Sequence, residues 1–142
     1  MRGFPLIPDE RGAPMGFQEA IQKVFSNYVT FTGRASRSEF WWWALFTFLG
    51  GLAASLIDGV LFGFGRGMAS PLNGLFSLAV LLPSIAVGVR RLHDIGRSGW
   101  WYLLIFIPVI GIVVLIYFWV QRSEAGANEH GAQPPEAEGF TA

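Results

Sequence analysis

The sequence predicts an all-α membrane protein with three transmembrane helices preceded by an amphipathic interfacial helix. The 142 residues are 52% hydrophobic and only 14% charged, whereas a soluble domain carries about 25% charged residues. Three apolar runs, residues 40–57, 72–89 and 100–120, contain no charged side chain. At about 1.5 Å of helix per residue, each run is long enough to cross a hydrocarbon core about 30 Å thick. A buried helix of a soluble bundle would keep a polar face, which these runs lack.

The overall composition argues against several classes of function. The formal net charge is zero, so no positive field draws in nucleic acid. The chain has no cysteine, which removes disulfides, thiolate metal sites and thiol nucleophiles. Neither a metal centre nor a cofactor is expected. Residues 1–15 mix prolines with charges and lack the apolar core of a signal peptide, so we expect a flexible N-terminus there.

The predicted elements follow in order along the chain. Residues 16–30 repeat apolar side chains at the spacing of one helical face, which predicts an amphipathic helix in the membrane surface. A transmembrane domain over residues 31–122 follows, with spans at about 37–61, 71–94 and 99–121. Pro83 and Pro108 lie inside the second and third spans, where each removes a helical hydrogen bond and favours a kink. Residues 123–142 are rich in Gly, Ala, Pro and Glu and are expected to be disordered.

Local signals predict where the spans begin. Ser36 and Glu39 have the spacing of a capping box, in which the hydroxyl accepts from the N–H three residues on. Ser70 precedes a proline and is expected to cap the second span. Ser98 is expected to cap the third.

Positive charges predict how the chain is threaded. Of the ten Lys and Arg residues, eight precede the first span or lie between the second and third spans. Positive charge concentrates on the cytoplasmic side of membranes, so we predict a cytoplasmic N-terminus, a cytoplasmic loop over residues 90–97 and a periplasmic or extracellular C-terminus. Five tryptophans fall at the same predicted boundary, where an indole keeps its N–H hydrated and its ring in lipid. These predicted anchors are Trp41, Trp42, Trp43, Trp100 and Trp101.

Two motifs resemble a known family. Residues 33–43 read GRASRSEFWWW, and residues 90–111 read RRLHDIGRSGWWYLLIFIPVIG. Together they resemble the domain-of-unknown-function 805 family, the YhaH-like small inner-membrane proteins of bacteria, over about residues 23–131. The resemblance implies a multi-pass protein of the bacterial inner (plasma) membrane, and it implies no known activity. Residues 123–131 depart from the family pattern because they lack its proline.

Eight residues at the predicted cytoplasmic boundary are candidates for a binding site. The simplest interpretation is a turn that sets topology, with arginines at a helix C-terminus. Alternatively, Glu39 pairs with an arginine at 90–91, and this pair holds the first span against the second. Asp94 would likewise pair with Arg34 or Arg37. The remaining positive charge would bind anionic lipid or another phosphate-bearing ligand, because a guanidinium fork matches phosphate oxygens. The candidates are Arg34, Arg37, Glu39, Arg90, Arg91, His93, Asp94 and Arg97.

Two other classes of function stay open from the sequence. A membrane enzyme acting on phosphate-bearing head groups would use His93 as a general base. However, His93 and Asp94 are neighbours, and their side chains would diverge by about 100° on a helix, so we predict no catalytic residue. A subunit of an oligomeric channel or transporter is the other alternative. The expected partners are the lipid bilayer, anionic head groups, and a membrane protein partner or a second copy of the chain.

Overall fold

The computed structural model describes residues 13–65 and 69–140 of the chain. Within these ranges the structure is helical and contains no β-strand. Its α-helices are α1 (Phe17–Ser26), α2 (Arg37–Phe62), α3 (Pro71–Asp94) and α4 (Ile110–Val120). Two 3₁₀ helices, Gly99–Phe106 and Pro135–Phe140, precede α4 and end the described chain. Most of the expected flexible N-terminus, residues 1–12, lies outside the described residues.

Helices α2 and α3 are long and apolar enough to cross a membrane. They have 26 and 24 residues, or about 39 and 36 Å of helix. They run antiparallel, and the Trp43 indole Nε1 donates to Ser84 Oγ across the pair at 2.9 Å. Apolar side chains such as Phe48 and Leu78 point outward and are 67% and 69% exposed. The two helices match the first two predicted spans.

The third predicted span is not a continuous helix. The 3₁₀ helix Gly99–Phe106 ends before Pro108, and Val109 then takes φ 63° and ψ −66°. The Ile110 N–H bonds to the Pro108 carbonyl at 2.7 Å, closing a three-residue turn that reverses the chain. The 3₁₀ helix and α4 each extend about 16 Å, roughly half of a hydrocarbon core. The prediction of one continuous span over residues 99–121 is therefore wrong. The missing N–H of Pro108 favours an interruption, and the two segments on either side pack together as a hairpin.

The two arms of this hairpin pack against each other. Trp101 lies against Phe118 and Tyr102 lies against Trp119, with ring centroids 5.7 and 5.9 Å apart. Near the turn, Gly111 approaches the facing 3₁₀ backbone so closely that a Cβ would collide with it. The hairpin therefore returns the chain to the end of the molecule from which it set out.

The tail beyond α4 packs beside the start of α2. The Asn128 side chain donates to the His93 carbonyl at 2.9 Å, and Ser36 Oγ donates to the Glu136 carboxylate at 2.8 Å. The expectation that residues 123–142 are disordered is therefore wrong for the part of the tail that the structure describes. In the described residues the hairpin brings the tail back to the end where α2 begins, and the side of the membrane on which each terminus lies stays a prediction. We call the end where these segments meet, residues 33–39, 90–97 and 121–137, the charged end.

Helix α1 packs across the first turns of α2. The rings of Phe25 and Trp43 lie 5.2 Å apart, and those of Phe17 and Trp42 lie 5.7 Å apart. Val24 is fully buried in this cluster. The predicted amphipathic helix is present, and its position in a membrane surface stays a prediction. Trp43 is only 2% exposed, so its predicted role as an interface anchor is wrong: its position on α2 turns it toward α1 and α3.

The predicted caps are only partly present. Ser36 Oγ accepts from the Glu39 N–H at 3.3 Å, and Ser98 caps the 3₁₀ helix. Ser70 makes no side-chain cap bond. Asp58, from the end of α2, instead accepts from two N–H groups in the first turn of α3 at 3.1 and 2.8 Å. A carboxylate distant in sequence thus satisfies the helix start that the local serine was expected to cap.

Candidate functional site

Glu39 is the centre of the first charge cluster at the charged end. Its carboxylate is fully buried, with Arg90 Nη1 at 2.7 Å and Lys23 Nζ at 3.1 Å. The cluster joins α1, α2 and α3. These contacts are short, but neither Glu39 oxygen has hydrogen-bond alignment, and Arg90 Nε and Nη2 are buried without a hydrogen-bond partner. The cluster is therefore held by two ion pairs, a buried one with Arg90 and a partly exposed one with Lys23.

Asp94 is the centre of the second cluster. Its side chain is fully buried, with Arg34 Nε at 2.9 Å and Arg91 Nη1 at 2.6 Å. Ser123 Oγ, just after α4, also donates to this carboxylate. Both carboxylate oxygens are thus hydrogen-bonded, and one aspartate ties the segment before α2, the end of α3 and the tail together.

Backbone carbonyls bind most of the remaining guanidinium donors. Arg34 donates to the carbonyls of Glu124 and Gly126 at 2.5 and 2.6 Å. Arg91 Nε donates to the Trp119 carbonyl at 3.2 Å, and Arg91 Nη2 donates to the Gln121 carbonyl. Carbonyls at the end of α4 and in the tail therefore satisfy arginines whose charge is paired with Asp94.

These clusters confirm the pairing predicted from the sequence. Glu39 lies on Arg90, and Asp94 lies on Arg34. Burying charges is costly, and removing one member of a buried pair leaves an uncompensated charge that costs about 3–5 kcal/mol. The five residues Arg34, Glu39, Arg90, Arg91 and Asp94 therefore act inside the fold, where their contacts hold the spans and the tail together.

His93 lies beside these clusters but does not join them. Its Nδ1 is 3.0 Å from the Gly33 carbonyl, and its ring stacks on His130 with centroids 3.9 Å apart. The neighbouring Asp94 carboxylate faces the arginines instead. His93 and Asp94 thus form no dyad, and no group of three His, Cys, Asp or Glu residues in the described chain is placed to hold a metal ion.

Arg37 and Arg97 remain outside the two clusters. Arg37 Nη1 donates to the Val120 carbonyl at 3.3 Å. The Arg97 guanidinium carbon lies 5.4 Å from the Trp101 ring centroid and 4.5 Å from that of Phe118. Among the described residues, no carboxylate lies within 4 Å of either guanidinium. No carboxylate of the described residues therefore neutralises the charge of Arg37 or Arg97.

Four of the predicted tryptophan anchors are partly exposed at this end. The exposed fractions of Trp41, Trp42, Trp100 and Trp101 are 38%, 37%, 79% and 43%. Trp41 Nε1 donates to the Trp119 carbonyl at 3.3 Å, and Trp42 Nε1 donates to the Met15 carbonyl at 2.7 Å. The exposed rings of all four, and the bonded N–H groups of Trp41 and Trp42, suit a boundary between lipid and water.

Sequence reasoning missed the contribution of the tail. Ser123, the carbonyls of Glu124 and Gly126, and Glu136 all bind charged or polar groups of the clusters. Disorder was predicted because the tail has few bulky apolar residues. Polar side chains and backbone groups hold the tail instead. One signal was available: the family resemblance continued to residue 131, beyond the predicted end of the folded part.

Comparisons with known proteins agree with the motifs. A family model described as "Protein of unknown function (DUF805)" matches residues 28–132. The Escherichia coli (strain K12) protein "Inner membrane protein YhaI" is 41% identical over 112 residues, which cover 78% of this chain and 91% of that protein. "Inner membrane protein YhaH" of the same organism is 40% identical over 112 residues, covering 79% and 93%. "Uncharacterized protein YiiR" is 40% identical over 80 residues, covering 55% and 50%. No solved structure matches the chain.

Proposed function

Since the chain belongs to the DUF805 family, we propose that it is a multi-pass bacterial inner-membrane protein that binds anionic phospholipid head groups at its charged end. The names of the relatives YhaI and YhaH support the location. Helices α2 and α3 would cross the membrane, and the hairpin would enter it from the charged end.

The distribution of cations supports a cytoplasmic charged end. All seven Lys and Arg residues in the described chain belong to α1 or the charged end: Lys23, Arg34, Arg37, Arg90, Arg91, Arg97 and Arg122. The positive-inside rule therefore supports a cytoplasmic charged end. Because the hairpin returns the chain, the C-terminal tail would lie in the cytoplasm too.

The placement of Arg97 carries the proposal for lipid binding. Each arginine of the two clusters contacts a carboxylate, whereas Arg97 stacks on the rings of Trp101 and Phe118. A stacked guanidinium keeps its N–H edge available, and that edge matches two phosphate oxygens. The neighbouring Trp100 is 79% exposed, which suits the depth of the head groups.

An apolar groove beside Arg97 fits the rest of a lipid molecule. The groove has a volume of about 320 Å³ and runs from Ser98 past Trp100 to Leu103, Leu104 and Ile107. A phosphate held at Arg97 would leave an acyl chain to follow these side chains along the first arm of the hairpin. The polar and apolar parts of the site thus match the two parts of a phospholipid.

Retention of lipid by the purified protein tests the proposal. Protein extracted from membranes containing phosphatidylglycerol would be examined by native mass spectrometry, comparing Arg97→Gln with Arg37→Gln. Each variant removes one positive charge from the charged end. We expect Arg97→Gln to weaken phosphatidylglycerol retention about tenfold, since a hydrogen bond to a charged group contributes about 1.5–3 kcal/mol, and Arg37→Gln to retain it. Equal retention by all three proteins would exclude the site.

A further inference from the structure

A cavity at the charged end is separate from the groove beside Arg97. It has a volume of about 120 Å³ and lies between the first turn of α2, the residues after α4 and the last described turn of the tail. A water occupies about 30 Å³ in the liquid, so the cavity has room for a small oxyanion. Its polar lining comes from Ser36, Arg37, Ser38, Arg122, Ser123 and Glu136.

Two guanidinium groups give this cavity its chemistry. Arg37 makes one hydrogen bond, to the Val120 carbonyl, and an arginine carries five N–H donors. Arg122 lines the same cavity. Ser36 and Ser123 are only 2% and 8% exposed, whereas Arg37 is half-buried and Arg122 is exposed, so an anion from solution can reach both arginines. Planar guanidinium forks match tetrahedral oxyanions.

An anionic group of the chain already lies at the wall of this cavity. The Glu136 carboxylate accepts from Ser36 Oγ at 2.8 Å, and Lys23 Nζ lies 3.5 Å from it. Its side chain is only 11% exposed. The cavity therefore already accommodates one negative charge from the tail, in a wall that also contains Arg37 and Arg122.

We propose that this cavity binds a small phosphate-bearing anion and that Glu136 limits the affinity. The phosphate would be held by Arg37 and Arg122. Glu136 lines the same cavity and carries the same sign of charge as the ligand, so it weakens binding for as long as the tail is docked. The tail is then part of the site rather than a separate extension.

Titration of the full chain with inorganic phosphate tests this proposal. The protein would be held in nanodiscs of phosphatidylcholine, and the heat of binding would be measured. We expect saturable binding that Arg37→Gln weakens at least about tenfold, because a hydrogen bond to a charged group is lost. Glu136→Gln keeps the shape of the tail, removes the like charge and is expected to tighten binding about tenfold.

Glu129→Gln is the matched control for Glu136→Gln, because its carboxylate is 76% exposed and does not line the cavity, and it is expected to bind phosphate as the original chain does. An unchanged affinity in Arg37→Gln, or the absence of saturable binding in both the original chain and Glu136→Gln, would overturn the proposal. If Arg37→Gln folds poorly, the sign of the Glu136→Gln effect still decides, since repulsion predicts tighter binding only.

The same titration identifies the source of the phosphate. In nanodiscs that also contain phosphatidylglycerol, unchanged affinity assigns the cavity to a soluble phosphate compound. If phosphatidylglycerol weakens the binding of inorganic phosphate, and still does so in Arg97→Gln, the cavity binds a lipid head group. Either result supports a phosphate site, and neither depends on lipid binding at Arg97.

Discussion

Asp94→Asn is expected to lower the free energy of unfolding by about 3 kcal/mol. The carboxylate is fully buried and accepts from Arg34 at 2.9 Å, from Arg91 at 2.6 Å and from Ser123. Removing the charge leaves two buried guanidinium groups without a counterion, a loss of about 3–5 kcal/mol for a buried pair. Asparagine keeps one acceptor oxygen, so we expect a loss at the lower end of this range. Since native proteins are stable by only about 5–15 kcal/mol, the loss would be a large part of the total.

Reversible unfolding in mixed micelles, followed by tryptophan fluorescence, measures this loss. Glu129→Gln is the control, because it removes a carboxylate from the same end where the side chain is 76% exposed, and it should change stability by less than about 0.5 kcal/mol. The double variant with Arg34→Gln should lose less than the sum of the single losses, since the two side chains share one interaction. A loss below about 1 kcal/mol for Asp94→Asn, or strict additivity, would refute the view that this carboxylate holds the tail and spans together.

Three further predictions concern the threading, the cap of α3 and the hairpin. The chain has no cysteine, so Ser26 and Glu129 can each be replaced by a single cysteine and labelled with an impermeant maleimide in sealed vesicles. Both cysteines should react from the same side of the membrane. Labelling from opposite sides would mean that the third apolar run crosses the membrane. Asp58→Ala should destabilise the protein by about 1–2 kcal/mol, as loss of a helix cap does, whereas Ser70→Ala should be close to neutral; denaturation midpoints of the two variants would show the difference. Gly111→Ala should cost about 1–3 kcal/mol through overpacking, because a Cβ there meets backbone; proteolysis of the hairpin should speed up, and unchanged rates would contradict the packing described.

Part of the site could be predicted because charge and polarity are local properties of a sequence. Glu39 and Asp94 each lie near the end of an apolar run, and charges in a membrane protein collect at such ends and find counterions there. The pairs with Arg90 and Arg34 follow from this common depth. The contributions of Ser123 and of the tail carbonyls did not follow, because every residue carries a carbonyl and composition does not show which ones bind a guanidinium.

The two prolines in the apolar runs also show what the sequence could not decide. Pro83 and Pro108 carry the same local signal, the loss of one N–H in an apolar run. Helix α3 continues through Pro83, whereas the chain reverses after Pro108. The difference depends on whether the segments on either side of the proline can pack together. At Pro108 they can, because Gly111 has no Cβ and the facing backbone approaches it closely.

The sequence by itself determined that this protein belongs in a membrane, which residues form α2 and α3, and that Glu39 and Asp94 share a depth with several arginines. Hydropathy, helix length and charge can be read directly along the chain. Only the tertiary structure decided that the third run is a hairpin, that Trp43 is buried and that the tail docks on the charged end. Each of these depends on contacts between residues distant in sequence, and such contacts are settled by the packing of whole segments rather than by local pattern.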